Sequence, residues 1–141
     1  MFIDQISIFI ENRQGRMAEI TKLLADGGID IRALSIADTT DYGILRLIVN
    51  NPEKATLLLN ENHVTATITK VLAIAIDDKP GGLNKAITIL SNEGVDVEYM
   101  YAFLNPRKDT AFVILRVADN EKAIEILKNG GIELMTNADI Q

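Results

Sequence analysis

The sequence predicts an α+β chain built from two βαββαβ repeats, each an antiparallel sheet with two helices on one face, packed side by side. Three observations carry this: an internal repeat, a matching order of strand and helix periods in each half, and glycines at the same junctions. At an offset of 66, residues 5–31 fall on residues 71–97, pairing Ile8 with Ile74, Ile10 with Ile76, Leu24 with Leu90, Gly15 with Gly81, Gly28 with Gly94, and Asp30 with Asp96. Beyond a loop two residues longer in the second half the offset becomes 68. There Leu47, Val49, Glu53, Lys54, Ala55 and Leu59 meet Leu115, Val117, Glu121, Lys122, Ala123 and Leu127. The expected domains are residues 1–69 and 70–141.

In the first half, residues 5–10 alternate with Ile6, Ile8 and Ile10 on one face, a half-buried strand. Gly15 opens a helix whose Met17, Ile20, Leu23 and Leu24 recur at helical spacing, and Gly27-Gly28 stops it through a left-handed cap. Residues 30–37 and 42–49 read as strands joined by a polar turn at 38–41. Asn51-Pro52 starts a second helix, with Asn51 as cap and Pro52 where no donor is needed. It runs to about residue 60, and 64–69 is a β-branched last strand. The second half repeats the scheme: strands at 71–76, 96–104, 110–117 and 132–135, helices at 81–92 and 119–128, with Asp119 as a cap. A βαββαβ unit of this order is ferredoxin-like. Only Lys70 separates the halves, so they are expected to pack rigidly, sheet edge to sheet edge.

Composition narrows the function. The chain is 48% hydrophobic and 24% charged, the balance of a protein with a substantial core. Its net charge of −6 divides evenly, with nine acidic and six basic residues in 1–69 and eleven and eight in 70–141. No basic stretch neutralises a run of phosphates, so nucleic acid is not an expected partner. The longest apolar runs, such as 71–76, are strand-length, so no membrane association is expected either. Met1-Phe2-Ile3-Asp4 lacks the pattern of a secretory leader, and a cytoplasmic location is expected. There is no cysteine and one histidine, His63, in a polar stretch after a helix, so no metal and no cofactor are expected.

The fold alone hosts many functions, so the site must be sought in particular segments. Two loops between first strand and first helix stand out: Asn12, Arg13, Gln14, Gly15, Arg16 and Met17, and their counterparts Asp78, Lys79, Pro80, Gly81, Gly82 and Leu83. A glycine loop entering a helix presents unpaired N–H groups at the positive end of the helix dipole, a place suited to a carboxylate. Asp30 and Asp96, each after Gly-aliphatic at the start of a strand, offer carboxylates to an ammonium group. In these elements the chain resembles the ACT domain, a regulatory module that binds amino acids. The resemblance rests on Asn12…Gly15-Arg16-Met17 with Gly28-Ile29-Asp30-Ile31, and on Asp78…Gly81-Gly82-Leu83 with Gly94-Val95-Asp96-Val97.

The resemblance implies a stand-alone, non-enzymatic tandem regulator that binds a free amino acid at the interface of its halves. Loop 12–17 would work with Asp96, and loop 78–83 with Asp30. It also implies self-association, as a homodimer, and an output through another protein. Other readings are an interaction module without a ligand, and an acylphosphatase-like enzyme suggested by Arg13 and Arg16 around Gly15. The second half, with Lys79 and Gly82, lacks that enzyme's loop pattern. Tyr99, Tyr101 and Phe103 alternate along one strand like the stacking rings of RNA-binding sheets, but the acidic charge points instead to rings that line a pocket or interface. The glycine loops are expected to be unequal: Gly81-Gly82 leaves the backbone open to a ligand and Pro80 stiffens it, whereas Arg16 either clamps or blocks.

Overall fold

The computed structural model describes residues 1–38, 41–104 and 107–140, and divides into two compact units. One comprises Asp4–Thr69; the other comprises Met1–Ile3 with Lys70–Ile140. In the first unit, β1 (Ile3–Glu11), α1 (Arg16–Asp26), β2 (Ile31–Asp38), β3 (Tyr42–Val49) and α2 (Pro52–Glu61) follow the expected order. The turn at 38–41 has residues 39 and 40 outside the described set. The last strand starts at Ala66 and does not stop at Lys70: β4 (Ala66–Asp77) is one strand that serves as the last of the first unit and the first of the second. After it come α3 (Gly82–Asn92), β5 (Val97–Ala102), β6 (Thr110–Val117), α4 (Asn120–Asn129), β7 (Glu133–Leu134) and a short α5 (Asn137–Ile140).

Each unit has the same strand order, β4-β1-β3-β2 in the first and β7-β4-β6-β5 in the second. The registers repeat as well. Ile6 faces Leu47 and Leu72 faces Leu115; Glu11 faces Tyr42 and Asp77 faces Thr110. Even the irregularity in the second strand recurs, between Ile31 and Ala33 and between Val97 and Tyr99. The duplication therefore holds at the level of backbone hydrogen bonds.

The strand alternation read from the sequence is what builds the cores. Ile6, Ile8 and Ile10 are buried with Leu45, Leu47 and Val49 against Ile20 and Leu24 of α1 and Ala55 and Leu59 of α2. The second core is its copy: Leu72, Ile74, Leu115 and Val117 with Ala86, Leu90, Ala123 and Leu127. Both second helices start as expected, with the Asn51 side chain accepting from Lys54 N at 3.1 Å and Asp119 from Lys122 N at 3.1 Å. Gly28 (φ +73°) and Gly94 (φ +75°) take the left-handed conformation that ends α1 and α3. β7 is shorter than the expected 132–135: Ile132 N is held by Leu127 O at 2.9 Å at the end of α4, and Met135 keeps one contact with β4, its N donating to Ala73 O at 2.8 Å. Among the described residues no helix is long and apolar enough to cross a membrane.

Gly82 is buried for a structural reason: a Cβ there would lie 2.0 Å from the carbonyl oxygen of Asp77. Gly81 has open space around it but sits at φ +89°. Gly82→Ala must move backbone and is expected to cost about 3 kcal/mol, while Gly81→Ala incurs only left-handed strain of about 1–2 kcal/mol. Urea unfolding of the two variants checks the order; a Gly82→Ala cost below that of Gly81→Ala refutes this reading of the contact.

Candidate functional site

The two loops share a backbone. At each, the chain leaves a strand and enters a helix through a left-handed glycine, Gly15 at φ 84°, ψ −8° and Gly81 at φ 89°, ψ −10°. Arg16 N donates to Arg13 O at 3.3 Å, and Gly82 N to Lys79 O at 3.0 Å. The residue just before the third strand of each unit holds the loop, through Asn12 N to Asp41 O and Asp78 N to Asp109 O, both 3.0 Å. Gln14, Lys79 and Pro80 are exposed, whereas Met17 and Leu83 pack on their unit's core. No side chain caps either helix, so first-turn N–H groups of α1 and α3 remain open to an acceptor.

Their electrostatics differ. At α1, Glu19 accepts from Arg13 Nη1 and Nη2 at 3.2 and 2.9 Å and from Arg16 Nη1 at 3.1 Å. The hydrogen bonds from Arg13 and Arg16 hold the Glu19 carboxyl below its ordinary range, and the same bond to Glu19 raises Arg13. Asn12 is tied as well, its Nδ2 donating to Asp38 Oδ1. Arg16 thus lies folded onto Glu19, with its side chain 19% exposed and its Nε buried without a hydrogen-bond partner. At α3 there is no acid in the first turn, and the nearest ion pair is the loose Lys79–Asp77 contact at 3.7 Å. A concavity of about 180 Å³ opens beside the start of α3, lined by Asp77, Gly82, Lys85, Ile132 and Glu133. Sequence reasoning missed Lys85 and Glu133 there. Lys85 sits one turn past Gly81 and was legible; Glu133 arrives through long-range pairing of β7 with β4.

Asp30 and Asp96 also diverge. Asp30 is committed: its N–H donates to Asn50 Oδ1 at 2.9 Å and its carboxylate holds Arg32 Nη1 at 2.7 Å. The counterparts of Asn50 and Arg32 are Ala118 and Glu98. Asp96 lines a concavity of about 470 Å³ with Glu98, Asp119 and Lys122. Each aspartate precedes its strand and lies at the far end of the sheet from its own unit's glycine loop. Asp77 pairs with Thr110 and Val97 with Val117, ends of one strand separated by roughly 23 Å at the usual rise. Neither unit brings its own loop and its own aspartate together. A larger concavity, about 540 Å³, runs along α3 and α4 and contains none of the expected site residues. Among the described residues no group of three His, Cys, Asp or Glu side chains is placed to hold a metal.

A family model for the ACT domain pair matches residues 1–141. The chain belongs to that family. Comparison with curated proteins gives no match. The crystal structure of a protein from Bacteroides thetaiotaomicron is 43% identical, with a TM-score of 0.93 over 99% of this chain and 96% of that one. At fold level this ACT pair is also similar to the regulatory subunit of aspartate kinase from Thermus thermophilus in its ligand-free form: 16% identity, TM-score 0.65, covering 90% and 91%. Aspartate kinase from Synechocystis gives 19% identity and a TM-score of 0.58, covering 96% of this chain and 28% of the enzyme. The fold thus recurs both in a chain of this size and as part of a larger one.

The Tyr99 and Tyr101 rings of the ACT pair stack at 6.5 Å, and Phe103 meets Phe112 edge-on at 5.7 Å. His63 is exposed, in a left-handed turn at φ 64°.

Because Glu19 titrates below its ordinary value of 4.5 in the folded chain, its ion pairs stabilise the fold above that pH. The contribution is lost as pH falls through the lowered value. Glu19→Gln is therefore expected to unfold at lower urea than wild type at pH 7, with the gap closing as the pH is taken progressively below 4.5. A gap that keeps its size over that range contradicts the pairing.

Proposed function

We propose that this ACT pair is a non-catalytic regulator that binds a free amino acid, with its carboxylate on the α3 loop of Asp78, Lys79, Pro80, Gly81, Gly82 and Leu83. The observation that carries the reading is the uncapped start of α3. Its N–H groups face no acid of their own first turn, and Lys85 adds a positive charge beside them. The counterpart loop of Asn12, Arg13, Gln14, Gly15, Arg16 and Met17 is the weaker site, because Glu19 already holds both arginines.

Preorganisation favours the same loop, though not for the reason its two glycines suggest. Gly82 is closed against Asp77, so it fixes the loop rather than exposing it. A loop already held by packing loses less entropy on binding. For the ligand's ammonium group the family resemblance nominates Asp30 and Asp96, while Asp77 and Glu133 line the concavity at α3. Regulatory output passes to another protein, recognised through the ligand-bound form.

Thermal unfolding with each of the twenty amino acids tests the reading. A true ligand at 100 times its Kd adds about 2.7 kcal/mol; no shift with any of them sinks it. With a ligand in hand, Lys85→Ala is expected to weaken binding by about 1.5–3 kcal/mol, and Arg16→Ala to leave it nearly unchanged. Calorimetry of Asp30→Ala and Asp96→Ala decides the ammonium: unchanged affinity in both moves that role to Asp77 and Glu133.

A further inference from the structure

Glu133 lines two concavities of the second unit. One is that at the start of α3, with Asp77, Gly82 and Lys85. The other, also about 180 Å³, is lined by Arg107, Phe112, Glu133, Met135 and Asp139. There the Arg107 guanidinium stands over the Phe112 ring, 5.2 Å from its centroid, and its Nη2 donates to both Glu133 oxygens at 3.1 and 3.0 Å. Asp139 Oδ2 is engaged by Thr136 N and Oγ1 at 2.7 and 3.0 Å, which leaves Glu133 as the carboxylate that Arg107 holds. An aromatic face beside a carboxylate suits a cation, and here the chain supplies the cation itself.

The fold itself does not call for this arrangement. Phe112, Ala75 and Glu133 stand in one row across β6, β4 and β7, and the small Ala75 leaves room between ring and carboxylate. In the first unit the same row reads Ile44, Phe9 and Thr65, with no acid and a bulky centre. Nor is the hold on Glu133 strong. One guanidinium nitrogen serves both oxygens in place of the two parallel bonds of a fork, and the two side chains are 57% and 60% exposed. The turn that carries Arg107 is tied at the same time to the α3 loop. Thr110 N donates to Arg107 O at 3.1 Å, and Asp109 O between them accepts from Asp78 N at 3.0 Å.

We propose that Arg107 is a built-in stand-in for the ligand's ammonium group: it holds Glu133 in the free chain, and an amino acid seated at the α3 loop takes Glu133 from it. The inference rests on that loop as the seat of the ligand's carboxylate, and it assigns the ammonium to Glu133. One positive group leaves the acid as another arrives, so Glu133 keeps a partner throughout. The displaced guanidinium and the uncovered face of Phe112 then form a surface that only the ligand-bound chain presents. A loosely held internal competitor also sets the affinity, because the ligand must first displace it.

Calorimetry with each of the twenty amino acids, run in parallel on wild type and Arg107→Gln, tests the proposal. Arg107→Gln removes the competitor at an exposed position. It is expected to bind the same amino acid roughly three- to tenfold more tightly, the share that an exposed ion pair and a cation–π contact hold back. Lys108→Gln removes the same charge one residue away, also at an exposed position, and is expected to bind as wild type does. Glu133→Gln is expected to bind more weakly, both alone and combined with Arg107→Gln. An amino acid that binds wild type and Arg107→Gln alike, that is tightened as much by Lys108→Gln, or that ignores Glu133→Gln overturns the stand-in and leaves the α3 loop as its seat. No binding to either wild type or Arg107→Gln removes that seat and the stand-in together, whereas binding to Arg107→Gln alone supports both.

Discussion

At two junctions, Glu11 to Arg16 and Asp77 to Gly82, the chain passes from strand to helix through four residues, and the path it takes there needs one residue in the left-handed region, which strains a side chain. Gly15 and Gly81 meet that need at nearly the same angles. Much follows from the position of this turn. A left-handed glycine stands where a serine or aspartate would cap, so past Arg16 N and Gly82 N, which the loop itself satisfies, each helix starts without a side-chain acceptor for its N–H groups. It also aims Met17 and Leu83 into the cores, coupling the loop's conformation to packing. The same feature that closes the fold therefore produces the place where a carboxylate is best received.

From one backbone the two units have moved apart in charge. The first answers its open helix start internally: Glu19 gathers Arg13 and Arg16 into one network, and Asp30 is matched by Arg32. The second leaves the helix start without an acid, and puts Glu98 where the first has Arg32. Exposed ion pairs contribute little to stability. Their effect here is to decide which of two equivalent loops has unused electrostatic capacity.

Much of the fold was legible in the sequence because its determinants are local and periodic. Ile6, Ile8 and Ile10 announce a one-sided strand, and Asn51-Pro52 and Asp119 announce helix starts by chemistry that acts within one turn. The continuity of β4 was hidden because Lys70 interrupts the passage from the alternating stretch 64–69 to the apolar run 71–76, while the backbone ladder that defines the strand is indifferent to it. The short α5 had a signal: Asp139 accepts from Thr136 N and Oγ1, the spacing of a capping box. Both loops were found from glycine spacing and their inequality was expected from Arg16, but which way that arginine lies was not legible. Whether an arginine reaches out or folds back depends on what lies a turn away in space, and Arg13 meets Glu19 only after Gly15 has turned the chain.

The role of Gly82 shows how far pattern reasoning reaches. Paired glycines in a loop suggest backbone left bare for a ligand, yet only Gly81 has open space; Gly82 is pressed against the Asp77 carbonyl. In the duplicate loop Arg16 carries a Cβ at this place, and its N–H reaches Arg13 O at 3.3 Å where Gly82 N reaches Lys79 O at 3.0 Å. A tighter closure costs side-chain choice, since no residue but glycine fits, and returns rigidity where N–H groups must hold one direction. The first loop kept the freedom to place an arginine and used it to satisfy itself. Packing at one Cβ and charge at one helix turn therefore act in the same direction, and both leave the α3 loop as the one poised for an external anion.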